Sequence, residues 1–140
     1  MNRPEFQAMA EERIVDARVL LVGGQWSAAY YLAGYAVECG LKACIVKRVE
    51  AAAGVIFEDR KFSDKCWTHS IAALRELSGL DAAFDADIAT NPILKKNWSI
   101  VQAWSEKARY QTTPQDEAQE LFDAITDPVN GVMQWLRVRW

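Results

Sequence analysis

Four ionisable side chains stand out as candidates for chemistry: Glu38, Lys42, His69 and Arg109. Glu38 and Lys42 lie four residues apart in an apolar stretch, so they share one face of a helix. Because charges in apolar helices are usually paired, we expect a structural ion pair in which Glu38 also holds Arg109. The functional alternative is a phosphate site in which Lys42 and Arg109 bind the anion and Glu38 orients them.

His69 is the only histidine in the chain. A lone histidine supplies neither a catalytic triad nor a set of metal ligands, so we expect it to cap or pack the start of a helix. Its catalytic alternative is a general acid or base that acts with Arg109. Cys39, Cys44 and Cys66 form no Cys-x-x-Cys pair, and we expect no metal or other cofactor.

Aromatic residues are frequent, and three tyrosines cluster in the sequence at positions 30, 31 and 35. Their spacing favours packing in a helical core over a platform on which nucleic-acid bases stack. Buried tyrosine hydroxyls need partners, and Glu38 is an acceptor within reach.

The C-terminal segment combines Trp135 and Trp140 with Arg137 and Arg139. Aromatic side chains and arginine are the residues that most often anchor protein interfaces. We therefore predict a self-associating or partner-binding face at this end of the chain.

Helices separated by short breakers account for the whole sequence. We predict helices over 5–22, over 27–49 with Ser27 as its cap, from Thr68 or Ser70 to 78, over 91–110, and from 114 to a break at Asp127–Pro128. A helical turn or two is expected over 81–89, and 51–65 reads as a loop. The second helix is apolar on nearly all sides, which places it at the centre. The prediction is an all-α, up-and-down bundle of about five helices in one domain, 1–140.

The overall composition narrows the function. The net charge of −3 gives no global attraction for nucleic acid or anionic lipid, so any phosphate contact needs a local basic cluster. Glu38 and Lys42 interrupt the longest apolar region, which favours a core helix over a membrane span. With an odd number of cysteines and no signal-peptide core at the N-terminus, we expect a reduced, cytoplasmic protein.

Several markers fall in an order that resembles one protein family. They are the segment Tyr-Tyr-Leu-Ala-Gly-Tyr-Ala-Val-Glu-Cys-Gly-Leu-Lys-Ala-Cys at 30–44, His69 with Leu74, Trp98 and Trp104 before Arg109–Tyr110, and Asp127–Pro128 with Gly131. Together they cover most of the chain, and in this order they resemble the HEPN-domain family.

The resemblance implies a HEPN-like helical bundle that forms a homodimer. It also implies binding of a nucleotide or RNA, or pairing with a nucleotidyltransferase-type partner in a toxin–antitoxin or defence system. On this basis Lys42, Arg109 and Tyr110 are the expected nucleotide- or RNA-binding residues.

Ribonuclease members of that family carry an arginine followed, after four to six residues, by a histidine. Here Arg109 is the matching arginine, but Pro114, Gln115 and Asp116 occupy the positions where histidine would follow. The sequence therefore favours a binding module over an enzyme. The alternative is a metal-independent ribonuclease in which Arg109 works with a non-standard base, either His69 or Asp116.

Overall fold

The computed structural model describes all 140 residues, Met1–Trp140. It contains eight α-helices and two 3₁₀ turns, so the all-α prediction is confirmed and the count of about five helices is wrong. The helices are α1 (Arg3–Val22), α2 (Trp26–Ala51), α3 (Phe62–Lys65), α4 (Ile71–Leu77), α5 (Asp81–Thr90), α6 (Pro92–Gln102), α7 (Gln115–Thr126) and α8 (Val132–Arg137). The first 3₁₀ turn is Ala53–Phe57 and the second is Glu106–Tyr110.

The extra helices are short. α3 and the first 3₁₀ turn lie in the segment predicted as a loop, where Val55 and Phe62 are buried and anchor the backbone against the bundle. α8 follows the break at Asp127–Pro128. No helix is both long enough and apolar enough to cross a bilayer.

α2 is the central helix, as its apolar sequence predicts. It contacts α1, α4, α7, α8 and both 3₁₀ turns, and nearly half of its residues are buried. Small side chains let its neighbours approach closely. A β-carbon at Gly34 would lie 2.3 Å from the Trp104 indole, so only glycine leaves room for that ring.

Two predicted helix boundaries are wrong, and both errors trace to long-range contacts. The helix expected over 91–110 ends at Gln102, because the chain turns to place Trp104 on Gly34, and Ser105 then caps the second 3₁₀ turn. Ser27 does not cap α2, which already begins at Trp26. The Ser27 hydroxyl instead accepts a hydrogen bond from the backbone N–H of Thr113, 2.8 Å away.

Other end signals act as predicted. The Ser70 side chain accepts a hydrogen bond from the backbone of Ala73 and caps α4. After α7, the Asp127 carboxylate accepts backbone hydrogen bonds from Val129 and Asn130, and these bonds lower its pKa.

The C-terminal segment folds onto the bundle and does not present the free face that was predicted. Arg137 pairs with Glu11, and Arg139 pairs with Asp87 while lying 3.8 Å from the centre of the Trp135 ring. Trp135 is buried and donates to Asp87, so these aromatic and arginine side chains are used inside the fold.

Candidate functional site

A buried carboxylate joins two basic side chains from different parts of the chain. Glu38, on α2, is only 1% exposed. Its Oε1 lies 2.8 Å from Lys42 Nζ and 2.9 Å from His69 Nδ1. Its Oε2 is buried and has no hydrogen-bond partner. A buried carboxylate usually has all its lone pairs directed at donors, so this site has unused accepting capacity.

His69 is held between helices rather than within one. It lies in the short link between α3 and α4, where Ser70 begins the next helix. The imidazole is 47% exposed although its Nδ1 is fixed on Glu38. Because a carboxylate oxygen accepts hydrogen bonds, the contact assigns the ring proton to Nδ1, which then donates to Glu38. In the neutral ring, Nε2 is then left as a hydrogen-bond acceptor.

A cleft of about 400 Å³ lies beside His69. One wall is formed by the start of α4 and the other by the link from α6 to the second 3₁₀ turn. The lining residues are Thr68, His69, Ser70, Ile71, Ala72, Gln102, Ala103, Trp104, Ser105 and Glu106. None of them is lysine or arginine, and Glu106 is the one carboxylate. The interior of the cleft is therefore polar but not cationic.

Trp104 connects the cleft to the centre of the bundle. Its ring packs on Gly34, one helical turn from Glu38, and lies 6.0 Å from the Tyr31 ring. Its Nε1 is buried without a partner, as Glu38 Oε2 is. Each of these two buried atoms, an indole donor and a carboxylate acceptor, thus lacks a hydrogen-bond partner.

Arg109 is not where the ion-pair prediction placed it. It is exposed on the second 3₁₀ turn, forms no ion pair with Glu38, and has its guanidinium 4.9 Å from the Tyr110 ring centre. The cause is the turn that follows Gln102: the second 3₁₀ turn still contacts α2, but it leaves the Arg109 side chain exposed and unpaired with Glu38. In a 3₁₀ turn, side chains three residues apart share a face. Arg109 is therefore on the same face of the turn as Glu106, which lines the cleft.

The other predicted site residues are distributed differently. Lys42 is mostly buried behind Glu38 and does not line the cleft. Tyr110 is 80% exposed beside Arg109. Asp116, the second candidate base, is exposed in the first turn of α7 and is not among the cleft residues. The structure therefore groups His69 with Glu38 and Lys42, and Arg109 with Tyr110.

The tyrosines of α2 are partly buried and packed against the core. Tyr35 donates to Met9 Sδ at 3.6 Å, so Glu38 is not its acceptor. Burial raises the pKa of Tyr35 to about 12, with the nearby Cys39 and Glu38 adding to the effect. The tyrosine rings therefore serve as core packing beside the site.

No group of three or more metal-ligating side chains comes together in the structure. Cys39 and Cys44 are buried thiols, and burial raises their pKa values to about 11 and about 12. Cys66 is less buried, and its pKa is raised for the same reason.

The contact between Glu38 and His69 was missed at the sequence level. The two residues are 31 positions apart, and no local spacing links them. The available signal was a single buried acid on a central helix together with a single histidine at a helix start. Gln102 and Ser105 were also missed as cleft residues, because they were expected within a continuous helix.

Comparison of the chain with protein families, curated proteins and solved structures gives no match.

Proposed function

We propose that this chain is a HEPN-like binding module that recognises a nucleotide or an RNA end. The observation that carries the proposal is the half-exposed His69 imidazole, fixed by buried Glu38 beside a cleft. The cleft volume of about 400 Å³ lies in the range of small-ligand sites, and a few oriented polar groups are what fix a ligand in such sites. The resemblance of the sequence to HEPN proteins supplies the ligand class.

Charge outside the cleft supports a phosphate-bearing ligand. Lys107 and Arg109, on the second 3₁₀ turn, form no ion pair, and Arg109 and Tyr110 are both exposed. Unpaired cations are free to contact phosphate, whereas paired ones must first give up a partner. This turn provides the local basic cluster that the net charge of −3 makes necessary.

Binding without catalysis is the favoured form of the proposal, because the arginine–histidine spacing of the ribonuclease members is absent. One observation favours the alternative ribonuclease function: Glu38 holds His69 in the way a carboxylate orients a general base. Between the two candidate bases, His69 is the stronger, since Asp116 lies outside the cleft.

The experiment is an RNA-binding and cleavage assay on the full chain. A labelled mixed-sequence RNA is incubated with the wild type, with Arg109→Ala and with the control Lys96→Ala. Lys96 carries an exposed, unpaired charge on α6. We expect binding without cleavage, weakened by Arg109→Ala and unaffected by Lys96→Ala. Cleavage lost in Arg109→Ala and in His69→Gln would establish the ribonuclease instead. No binding of RNA or of any ribonucleoside monophosphate would remove the proposal.

We also propose a homodimer formed through the outer face of α1. Val15, Val19 and Val22 share one side of this helix and are 59%, 66% and 86% exposed. Glu12 and Arg18 lie three residues before and after Val15. If two copies pack α1 antiparallel about Val15, Glu12 of one copy faces Arg18 of the other, which gives charge complementarity.

Light scattering with size-exclusion chromatography tests the dimer. We expect Val15→Glu to give monomers and Val129→Glu, at another exposed valine, in the α7–α8 link, to leave dimers. A wild type that is already monomeric would contradict the homodimer. That result would favour a nucleotidyltransferase-type protein as the occupant of the same face.

A further inference from the structure

The hydrogen-bonding character of the cleft is set by His69 and Glu106. Nδ1 of His69 is bound to Glu38, so the ring presents Nε2, an acceptor, on its exposed side. Glu106, an ionised carboxylate on the opposite wall, is acceptor-only. A ligand group that satisfies both acceptors must carry at least two hydrogen-bond donors.

The remaining polar groups fit the same ligand. Gln102 Oε1 accepts a hydrogen bond from Arg75, so its amide nitrogen is the part left for a ligand. The Ser105 hydroxyl accepts from the Lys107 backbone and retains its own proton to donate. The cleft therefore offers two strong acceptors with supporting donors. The phosphate of a nucleotide, which is mostly a dianion without a proton to donate at neutral pH, would face two repelling acceptors.

Position separates this cleft from the cationic surface. Arg109 and Lys107 lie on the turn that begins at Glu106, outside the set of lining residues. A nucleotide has a donor-rich end, the ribose with its vicinal hydroxyls, and an anionic end, the phosphate. The cleft volume, about 400 Å³, is at the small end of ligand sites, which is enough for one nucleoside.

We infer that the cleft selects the 2′,3′-diol of a ribose, with His69 Nε2 and Glu106 accepting from the two hydroxyls and the phosphate directed toward Arg109. The inference rests on the proposed function, and it fixes the ligand's orientation and class. The ligand is a ribonucleotide, or the terminal residue of an RNA that has a free diol. His69 and Glu106 are the specificity-determining residues.

The test compares adenosine 5′-monophosphate with 2′,3′-dideoxyadenosine 5′-monophosphate by calorimetry on the full chain, and repeats the pair with the other three bases. Loss of two hydrogen bonds should weaken binding of the dideoxy compound by about tenfold or more. In His69→Phe and in Glu106→Gln, the two compounds should bind with closer affinities. Glu106 is on the surface, so its variant remains informative if His69→Phe misfolds. Lys96→Ala should retain the full difference.

The outcomes separate this inference from the proposed function. Equal affinity for the ribose and dideoxy compounds in the wild type would overturn the inference and leave nucleotide binding standing. Displacement of the ribonucleotide by inorganic phosphate alone, unaffected by Arg109→Ala, would also overturn it, because phosphate would then occupy the cleft. Failure of every ribonucleotide to bind would remove both.

Discussion

Two clusters of charged residues differ in how fully the ionised side chain at their centre, Arg75 in one and Glu38 in the other, is partnered. In the first, Arg75 is 12% exposed, donates to Asp81 and Gln102, and lies 3.5 Å from the centre of the Phe84 ring. In the second, Glu38 is more deeply buried, yet Oε2 has no partner and His69 is half exposed.

The difference between the clusters is the reason for placing the proposed site at His69 and not at Arg75. The Arg75 cluster is a closed arrangement in which aromatic rings and acceptors surround the cation, as expected of a structural element. The Glu38 cluster holds an oriented imidazole beside a cleft and retains an unused acceptor. The indole nitrogen of Trp98, beside Arg75, is also buried without a partner, so the proposed site rests on the half-exposed, oriented imidazole of His69 beside the cleft and not on unpartnered atoms alone.

The largest expected effect comes from removing the charge of Glu38. Glu38→Gln leaves the mostly buried Lys42 ammonium without a counter-charge, and we expect a loss of about 3 kcal/mol in the free energy of unfolding, measured in urea. Glu50→Gln, which alters an exposed ion pair with Arg3, is the matched control and should change stability little. Equal effects of the two substitutions would mean that Glu38 has no special electrostatic role.

The next effect concerns the tryptophan that joins the cleft to the bundle. Gly34→Ala places a β-carbon 2.3 Å from the Trp104 indole, and we expect overpacking to lower stability by about 2 kcal/mol. The control is Gly54→Ala, where a β-carbon meets no atom within 4 Å. A Gly34→Ala variant as stable as Gly54→Ala would show that Trp104 is free to move aside.

Arg75→Met tests the closed cluster. Loss of the ion pair and of the contact with Phe84 should cost about 1.5 kcal/mol of stability, again from urea unfolding. Ribonucleotide affinity should fall less than in His69→Phe, because Arg75 does not line the cleft and holds only Gln102, a supporting donor. An affinity loss as large as that of His69→Phe would erase the distinction between the clusters.

The last and smallest effect, per pH unit, is a pH dependence of the unfolding free energy that arises from the buried thiols of α2. Burial raises the pKa of Cys39 from 9.0 to about 11 and that of Cys44 from 9.0 to about 12. Above pH 9 the unfolded chain releases these protons while the folded chain keeps them. Their contribution to stability is therefore complete below pH 9 and is lost as pH rises toward 11 and 12.

Cys44→Ala provides the measurement. The fall in unfolding free energy above pH 9 should become shallower by about 1 kcal/mol per pH unit relative to the wild type. Comparing slopes removes the constant cost of the lost sulfur atom. Cys66→Ala, at a less buried thiol, should leave the slope closer to that of the wild type. A slope unchanged by Cys44→Ala would contradict the burial of that thiol.

Local signals in the sequence account for much of the fold and little of the site. Gly23–Gly24, Ser70 and Asp127–Pro128 act through neighbouring backbone atoms, so their effects on helix ends were predictable. The apolar sequence of α2 likewise predicted its central position.

The site depends instead on contacts between distant segments. The turn after Gln102 exists because Trp104 fits on Gly34, seventy residues earlier in the chain. That turn moves Arg109 away from Glu38 and opens the cleft, while the folded link before α4 brings His69 to Glu38. No spacing within one helix encodes either arrangement, so the Glu38–Lys42 pair was the only contact of the site that the sequence alone predicted.

The protonation site of His69 tests the central claim most directly. Because His69 is the only histidine, long-range ¹H–¹⁵N correlation spectra of the full chain report its ring nitrogens without ambiguity. At a pH where the ring is neutral, the account predicts the proton on Nδ1 and a bare Nε2 in the wild type, with this preference lost in Glu38→Gln. A wild-type ring protonated on Nε2 would contradict it, because His69 would then present a donor to the cleft.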